Sequence, residues 1–355
     1  MHRVVVLKLL IISFFLFLVF YTAILCRRFP YQEEGLFAET FKVDDIELRR
    51  MNLNTRHITT LNFKKNHCNV YNVSRPLTSG YECVTTRSDP QVTVCLYEEH
   101  RDMFISHDIK HTGLWEPQVL REFQEVLRQH PDLGVIDMGA NIGYYTLIAA
   151  KMGHRVIAVE PLLDSIYKLH RALFIEGLQS KVTVVQNAIA DERTLGSLVL
   201  SGDNQGDTKV HMSYTQCSGD CPLPINTILM DDILEVIPFE SALIKMDIQG
   251  FECDALRHSE KLFNKVNVMY IIMEWGLLRN FHQNDNHMTP EKYKVHDVIR
   301  ILFQRNFRPY ALSADGGRPL DPNQWHLWPF DVIWRKSLQQ KEYEEVVRHH
   351  FLNWP

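Results

Sequence analysis

The chain has 355 residues, of which 45% are hydrophobic and 23% charged, which is the composition of a folding globular protein with a sizeable core. The formal net charge is -5, and lysine and arginine are scattered along the chain. Because no basic stripe is present to neutralise phosphates, the sequence predicts no nucleic-acid partner.

The first predicted element is a transmembrane helix. Residues 9–25 are apolar except for Ser13 and Thr22, and a few apolar residues before them extend the stretch to the length of a thin bilayer. A cleaved signal peptide is the alternative, but Cys26, Arg27 and Arg28 stand where its small-residue cleavage site would be needed. We therefore expect residues 1–28 to be a cytoplasmic tip and an uncleaved signal anchor.

Three features favour a lumenal position for the rest of the chain, as in a single-pass type II protein of the Golgi or endoplasmic reticulum. Asn72-Val73-Ser74 is a glycosylation acceptor sequence, and no large domain precedes the anchor. Outside the anchor region the cysteines form an even set, compatible with disulfides: Cys68, Cys83, Cys95, Cys217, Cys221 and Cys253. A local Cys217–Cys221 disulfide is favoured over half a zinc site, and Cys253 is expected to be a buried thiol.

After the anchor, the composition divides the chain into a stem, a cap segment, a core domain and a tail. The stem covers 29–65, the cap 66–130, the core domain 131–336 and the tail 337–355. Within the cap we expect a strand at 92–97 and a helix at 116–128.

The core domain alternates short apolar runs with amphipathic stretches. Strands are predicted at 135–138, 156–160, 182–185, 242–247, 268–275, 310–312 and 332–334, and helices at 144–152, 165–176 (capped by Asp164), 252–263 and 290–304. A hairpin is expected from 198–200 and 210–214. Such alternation is typical of a doubly wound α/β domain with a mainly parallel sheet and helices on both faces.

A glycine-rich turn between the first strand and helix of this domain indicates a ligand site. In the segment 137–143, glycines let the backbone approach a ligand at a helix N-terminus. Glu160 ends the next strand, where a carboxylate can accept two hydrogen bonds from a ribose diol. A dinucleotide site uses similar logic, but Tyr145 stands where its third glycine is expected, and Asn141 also departs from that pattern.

Several segments together resemble the FkbM family of methyltransferases. The stretch 135–146 resembles the first signature of the family and 244–252 the second, in the right order and at the right distance. Shorter matches are found at 113–116, 158–161, 229–234 and 273–274, so the resemblance covers roughly 113–334. Gln249 departs from the pattern because many members carry glutamate there, which argues against an acid–base role for this side chain.

The resemblance implies a class I methyltransferase with a seven-stranded, Rossmann-like sheet and S-adenosylmethionine as cofactor, acting on a hydroxyl oxygen of a sugar or other small metabolite. It assigns the cofactor to residues that follow the first three strands: Asp137, Gly139, Asn141 and Gly143 on the methionine and ribose side, Glu160 at the ribose hydroxyls, and Asn187 and Ala188 at the adenine. For Asn187, a plain turn residue remains the alternative.

Methyl transfer from a sulfonium requires an aligned acceptor oxygen and a group that removes its proton. The candidates for this catalytic role are the carboxylates Asp247 and Glu274 at strand ends, with Glu252 behind them. For Glu252, capping of its own helix is an equal alternative. No further cluster of oxygen ligands has convincing spacing, so no metal is expected.

Two regions are weaker candidates for binding the acceptor. His282 and His287 flank a polar loop, and Trp325 lies beside polar residues near the end of the chain. Two other functions stay open at this point. A lumenal glycosyltransferase shares the layout but usually needs an Asp-x-Asp triplet, which is absent, and a non-catalytic binding module with this fold is favoured only by Gln249.

Overall fold

The computed structural model describes most of the chain after the predicted anchor. The described ranges are 62–77, 80–213, 223–280, 290–312 and 317–337. Within these ranges, no helix is long and apolar enough to cross a membrane. The predicted anchor, the Cys217–Cys221 pair and the loop with His282 and His287 lie outside the described residues.

A nine-stranded sheet forms the centre of the described region. In spatial order its strands are β1 (Asn62–Lys65), β2 (Cys68–Tyr71), β7 (Val182–Val185), β6 (Val156–Val159), β5 (Gly134–Met138), β12 (Ser241–Met246), β13 (Asn267–Glu274), β15 (Asp331–Lys336) and β14 (Phe307–Ala311). The remaining strands, in smaller sheets, are β3 (Cys83–Thr85), β4 (Thr93–Cys95), β8 (Ala188–Ile189), β9 (Leu195–Val199), β10 (Lys209–His211) and β11 (Leu223–Ile228).

The seven strands from β7 to β14 form the sheet that the resemblance implies. Numbered along the chain, their spatial order is 3-2-1-4-5-7-6, and β15 is antiparallel to both of its neighbours. The four pairs of adjacent strands in the series β7-β6-β5-β12-β13 are all parallel. The sheet as a whole has nine strands rather than seven, because β2 pairs with β7 and β1 pairs with β2.

Helices cover both faces of the sheet. They are α1 (Ile105–Thr112), α2 (Pro117–Gln129), α3 (Tyr144–Lys151), α4 (Leu163–Glu176), α5 (Glu252–Arg257), α6 (Glu260–Lys265), α7 (Gly276–Asn280) and α8 (Pro290–Gln304). On one face Ile136 of β5 belongs to the apolar core that includes Leu302 of α8. Side chains alternate along a strand, so Asp137 points to the other face, where Thr146 of α3 binds it.

Two predicted helix features in the core domain are wrong. Asp164 does not cap α4, because the helix begins at Leu163 and Asp164 is therefore inside it. The buried Asp164 side chain pairs with Lys168 at 2.8 Å. The single helix predicted over 252–263 is two helices, α5 and α6. The second has its own N-terminal partner, since the Leu262 N–H donates to the Asp231 carboxylate at 2.8 Å.

The predicted hairpin is present and belongs to a larger sheet. Strands β9 and β10 pair in antiparallel register, as expected. Strand β11 adds to the other edge of β9 and runs parallel to β8. This second sheet stands beside the end of β7 and brings residues 204–208 to the cavity described below.

The described cysteines follow two patterns. Cys83 and Cys95 are directly opposite each other in the β3–β4 pair and form a disulfide. Cys68 and Cys253 are buried free thiols, which confirms the expectation for Cys253. Burial raises the pKa of Cys68 to about 12, so this thiol stays protonated and unreactive.

Candidate active site

A cavity of about 410 Å³ opens along the carboxyl ends of the central parallel strands. Its wall includes residues that follow β5, β6, β12 and β13, which is the edge where open α/β sheets bind ligands. A volume of this size is within the range of small-molecule sites. Neighbouring strands are about 4.8 Å apart, so the positions after β6 and β13 are separated by roughly 14 Å. We name the part over β5 and β6 the cofactor half and the part over β12 and β13 the acceptor half.

The cofactor half begins with the glycine turn after β5. Gly139 has φ +80°, and a β-carbon there would overlap the carbonyl oxygen of Asp247. Only glycine allows this close approach of two backbone segments. Asn141 also has positive φ (+49°) and lines the cavity. Gly143 has φ +87° and directly precedes α3, but it packs against Leu169 and is not in the cavity wall.

Glu160 is a buried carboxylate that the turn itself holds in place. Its Oε2 accepts the Asn141 N–H at 2.8 Å, and its Oε1 accepts the Leu162 N–H at 2.8 Å. A carboxylate has about four acceptor positions, so two remain for ligand hydroxyls. Burial raises the pKa of Glu160 to about 7, although the two backbone hydrogen bonds lower it. The side chain therefore sits where the sequence predicts, in the cavity wall.

Asn187 and Ala188 line the far end of the cofactor half, after β7. The Asn187 side chain is occupied by backbone groups. Its Oδ1 accepts the Asn69 N–H at 2.8 Å, and its Nδ2 donates to the Asn226 carbonyl at 3.0 Å. These contacts support the alternative structural role for Asn187, because they join β2 and β11 to the cavity wall.

Asp137 lies under the turn at the boundary between the two halves. It is buried, lines the cavity and accepts the Thr146 hydroxyl at 2.6 Å. Burial raises the pKa of Asp137 to about 6. The structure thus brings Asp137, Gly139, Asn141 and Glu160 together, whereas Gly143 supports them from behind.

The acceptor half centres on Asp247 and a buried lysine. The Lys245 Nζ lies 3.6 Å from Asp247 Oδ2, and the Gln249 Nε2 donates to Asp247 Oδ1 at 2.9 Å. Gln249 has φ +54°, and it acts here as a donor that orients the carboxylate. Burial lowers the pKa of a lysine, but the carboxylates of Asp247, Glu116 and Asp331 raise the pKa of Lys245 above its ordinary value. Lys245 is therefore a cation.

Glu274 ends β13, next to the loop that carries Asp247. It is 7% exposed, lines the cavity, and its Oε2 has no hydrogen-bond partner. Burial, together with the negative charge of Asp247, raises the pKa of Glu274 to about 10. At neutral pH the Glu274 carboxyl therefore retains its proton, as expected when two carboxyl groups share one site.

Glu252 is placed differently from the other two catalytic candidates. It is buried and does not line the cavity. Its Oε1 accepts the Ile248 N–H at 3.0 Å and the Gly250 N–H at 3.4 Å. Burial raises the pKa of Glu252 to about 7. The helix that begins at Glu252 has no side-chain cap hydrogen bond, so the contacts favour a different structural role, in which Glu252 supports the loop that presents Asp247.

Sequence reasoning missed Lys245 and three groups around it. Tyr145 donates its hydroxyl to Glu116 at 2.8 Å, and its ring centre lies 5.2 Å from the Lys245 Nζ. Burial raises the pKa of Glu116, and burial raises the pKa of Asp331 to about 7. Lys245 carried a usable signal, because a lysine inside an apolar strand is almost never buried unless it is paired. Asp331 carried none.

The predicted acceptor role of Trp325 is wrong. Trp325 is buried in the apolar core, as are Trp328 and Trp334, and none of the three lines the cavity. The Trp325 carbonyl accepts the indole N–H of Trp275 at 2.8 Å. Its polar sequence neighbours therefore do not reflect its surroundings in the fold.

Two groups of described side chains are arranged so that they could hold a metal ion. They are Glu99 with His107 and His111, and His67 with Asp232 and Glu235. Neither group lines the cavity. In the second, Asp232 already binds Arg193 at 2.7 Å. The absence of a metal from the reaction stays a prediction.

The strand order and the cavity at the glycine turn define a domain of the class I methyltransferase type. Residues 137–309 match the family model described as Methyltransferase FkbM domain. This part of the chain therefore matches the FkbM methyltransferase family, as the resemblance predicted. A comparison with curated protein sequences gave no match.

Several solved structures to which this chain is similar are methyltransferases. A putative O-methyltransferase from Klebsiella pneumoniae is 12% identical, with 67% of this chain and 86% of that chain covered and a TM-score of 0.38. TomG, an O-methyltransferase from Streptomyces achromogenes in complex with SAM, is 10% identical, with 63% and 81% covered and a TM-score of 0.37. RsmC, a 16S rRNA methyltransferase from T. Thermophilus, is 13% identical, with 74% and 52% covered and a TM-score of 0.35. Likenesses of this level do not extend to the acceptor or the mechanism.

Proposed function

We propose that this protein is an S-adenosylmethionine-dependent O-methyltransferase whose acceptor is a hydroxyl group of a glycan, glycolipid or related metabolite in the secretory pathway. One observation carries the proposal. A single cavity joins a glycine turn and a buried carboxylate, Glu160, to the Asp247–Glu274 pair on the neighbouring strand ends. The glycine turn and Glu160 are suited to bind a nucleoside, and the two carboxyl groups are suited to bind an acceptor hydroxyl.

The cofactor half fits S-adenosylmethionine. The missing side chain at Gly139 leaves backbone at the cavity wall, and the free acceptor positions of Glu160 suit the two hydroxyls of a ribose. The cavity carries more acidic than basic residues, which favours a cofactor with a sulfonium and an ammonium group. When bound, this cofactor supplies an electrophilic methyl group.

The acceptor half is suited to position a hydroxyl and remove its proton. Asp247 is held by Lys245 and Gln249, so its carboxylate has a fixed orientation. We assign Asp247 as the base that takes the acceptor proton as the oxygen–carbon bond forms. Glu274, which retains its own proton, donates a hydrogen bond to the acceptor and fixes its position.

The location in the secretory pathway rests mainly on sequence. The apolar stretch 9–25 and the acceptor triplet at Asn72 support it. The Cys83–Cys95 disulfide is consistent with an oxidising compartment. Expression of the full chain in animal cells tests the assignment: endoglycosidase treatment is expected to remove a glycan that an Asn72→Gln variant lacks, and a chain without this glycan in the wild type would contradict it.

The absence of nucleic acid among the acceptors stays part of the proposal. The acidic cavity supports it, because a phosphate backbone gains affinity from basic groups. Methyl transfer to RNA under the same conditions would overturn this part and leave the methyltransferase activity intact.

Titration of the full-length protein with S-adenosylhomocysteine tests the proposed function. We expect binding by the wild type and at least about a tenfold loss of affinity for Glu160→Ala, because hydrogen bonds to a charged group are removed. Glu192→Ala, at an exposed glutamate, is the matched control and should bind like the wild type. A wild-type protein that binds no S-adenosylhomocysteine would favour the non-catalytic alternative.

A further inference from the structure

An aromatic side chain stands at the mouth of the acceptor half. Phe330 lines the cavity, yet it is 50% exposed. It directly precedes β15, in which Asp331 pairs with Glu274 of β13. The Phe330 ring and the Glu274 carboxyl therefore belong to neighbouring positions of adjacent strands, at the same edge of the sheet.

The Phe330 ring has a fixed position. Its carbonyl accepts the Trp275 N–H at 2.6 Å, so its backbone is tied to the end of β13. The ring packs on Gly276, where a β-carbon would overlap it. The Arg279 guanidinium lies 5.7 Å from the ring centre, and Arg279 itself does not line the cavity. A large apolar ring held in place but left half exposed is available to a ligand.

One oxygen of the adjoining Glu274 carboxyl group lacks a hydrogen-bond partner. Glu274 lines the cavity and is more than nine-tenths buried, and its buried Oε2 has no hydrogen bond. A buried polar atom without a partner costs about 1–3 kcal/mol, which a hydroxyl from a ligand would recover. An aromatic face beside an unsatisfied carboxyl oxygen matches a sugar, because a sugar ring has apolar C–H faces and hydroxyls at its rim.

The charges in the cavity select further among sugars. Six acidic residues line it, namely Glu116, Asp137, Glu160, Asp207, Asp247 and Glu274, and the basic residue among the described lining residues is Lys245. Lys245 already pairs with Asp247. A phosphate, sulfate or carboxylate on the acceptor would therefore find no unpaired cation among the described lining residues, and it is costly to dehydrate an anion without such a partner.

We propose that the acceptor is an uncharged sugar, whose ring face packs on Phe330 and whose hydroxyls bind Glu274 and Asp247. Anionic sugars are disfavoured because the basic residue among the described lining residues, Lys245, is already paired with Asp247. This proposal rests on the proposed O-methyltransferase function and narrows its acceptor. It assigns Phe330 as a specificity-determining residue and Glu274 as a binding group for the sugar rim.

The experiment uses the full-length protein loaded with S-adenosylhomocysteine and a panel of glycosides. Methyl glucoside, galactoside and mannoside are compared with the corresponding glucuronide and 6-phosphates by saturation-transfer NMR, which detects binding without turnover. In parallel, transfer of labelled methyl from S-adenosylmethionine gives kcat/KM. The variants are Phe330→Ala, the conservative Phe330→Trp, and Leu327→Ala, a matched control at a more exposed apolar residue outside the cavity wall.

We expect at least one neutral glycoside to bind and to react about tenfold or more faster, as kcat/KM, than its anionic counterparts. Phe330→Ala should reduce binding and kcat/KM about tenfold, whereas Phe330→Trp and Leu327→Ala should stay near the wild type. Equal or better use of anionic glycosides, no binding by any glycoside, or equal behaviour of Phe330→Ala and Leu327→Ala would overturn the proposal. Failure of the wild type to bind S-adenosylhomocysteine would instead refute the proposed function.

Discussion

The two halves of the cavity are built in different ways. In the cofactor half, the main contacts are made by the backbone, as at Gly139 and at the two N–H groups that hold Glu160. In the acceptor half, Lys245, Asp247 and Glu274 meet through their side chains across adjacent strands. Backbone geometry is specified by a short segment of sequence, whereas side-chain clusters depend on the whole fold. The two halves should therefore respond differently to substitution.

The largest effect is expected at Gly139. A Gly139→Ala variant places a methyl group against the Asp247 carbonyl oxygen at positive φ, so both loops must move. We expect S-adenosylhomocysteine binding to be lost and the free energy of unfolding to fall by about 3 kcal/mol or more. Calorimetric titration and urea unfolding measure the two quantities.

Gly177→Ala is the matched control for Gly139→Ala. Gly177 also has positive φ (+69°), but a β-carbon there meets no atom within 4 Å. It should therefore lose only about 1–2 kcal/mol, the ordinary cost of the left-handed conformation, and keep its cofactor affinity. If the two variants behaved alike, close approach of the loops would not explain the glycine.

A second prediction separates the two halves by function. Lys245→Met leaves the carboxyl cluster without its cation, so Asp247 loses the ion pair that orients its carboxylate. We expect kcat for methyl transfer to fall about 100-fold or more, with S-adenosylhomocysteine affinity within about threefold of the wild type. Lys265→Met, at an exposed lysine, is the control. A parallel loss of cofactor affinity would show that the halves are not independent.

The smallest effect concerns Glu252, which supports the loop between the halves. Its pKa is about 7 in the folded protein and 4.5 ordinarily, so the folded state retains a proton that the unfolded state has lost between these values. Stability from this group is therefore present below pH 4.5 and lost as pH rises to 7, by up to about 3 kcal/mol.

Glu252→Gln keeps the accepting oxygen and removes the charge. Its free energy of unfolding should match the wild type near pH 4.5 and exceed it at pH 7.5, while methyl transfer is retained. Urea unfolding at both pH values measures the difference. A large loss of kcat with unchanged stability would return Glu252 to the catalytic candidates.

The same contrast explains which parts of the structure the sequence predicts. The buried parallel strands are apolar runs of the right length, and the strand order follows from the family resemblance. Strands β1 and β2 are short and partly polar, so they carry no such pattern. They are defined by pairing, β2 with β7 and β1 with β2. The break between α5 and α6 depends on Asp231, a tertiary contact that helical periodicity does not contain.

In the site, proximity in sequence decides what is predictable. Glu160 follows the glycine turn by one strand, and its role is readable from that spacing. Phe330 lines the cavity, and Asp331 raises the pKa of Lys245. Both positions depend on β15, which lies near the end of the domain sequence and inserts beside β13. Trp325 shows the converse, since polar neighbours in sequence suggested exposure for a side chain that the core buries.

A crystal structure of the full-length protein with S-adenosylhomocysteine tests the division of the cavity most directly. The account predicts that the ribose hydroxyls bind the Glu160 carboxylate and that the sulfur points towards Asp247 and Glu274, with the space beside Phe330 left for the acceptor. A nucleoside bound over β12 and β13, or outside the cavity, would contradict it.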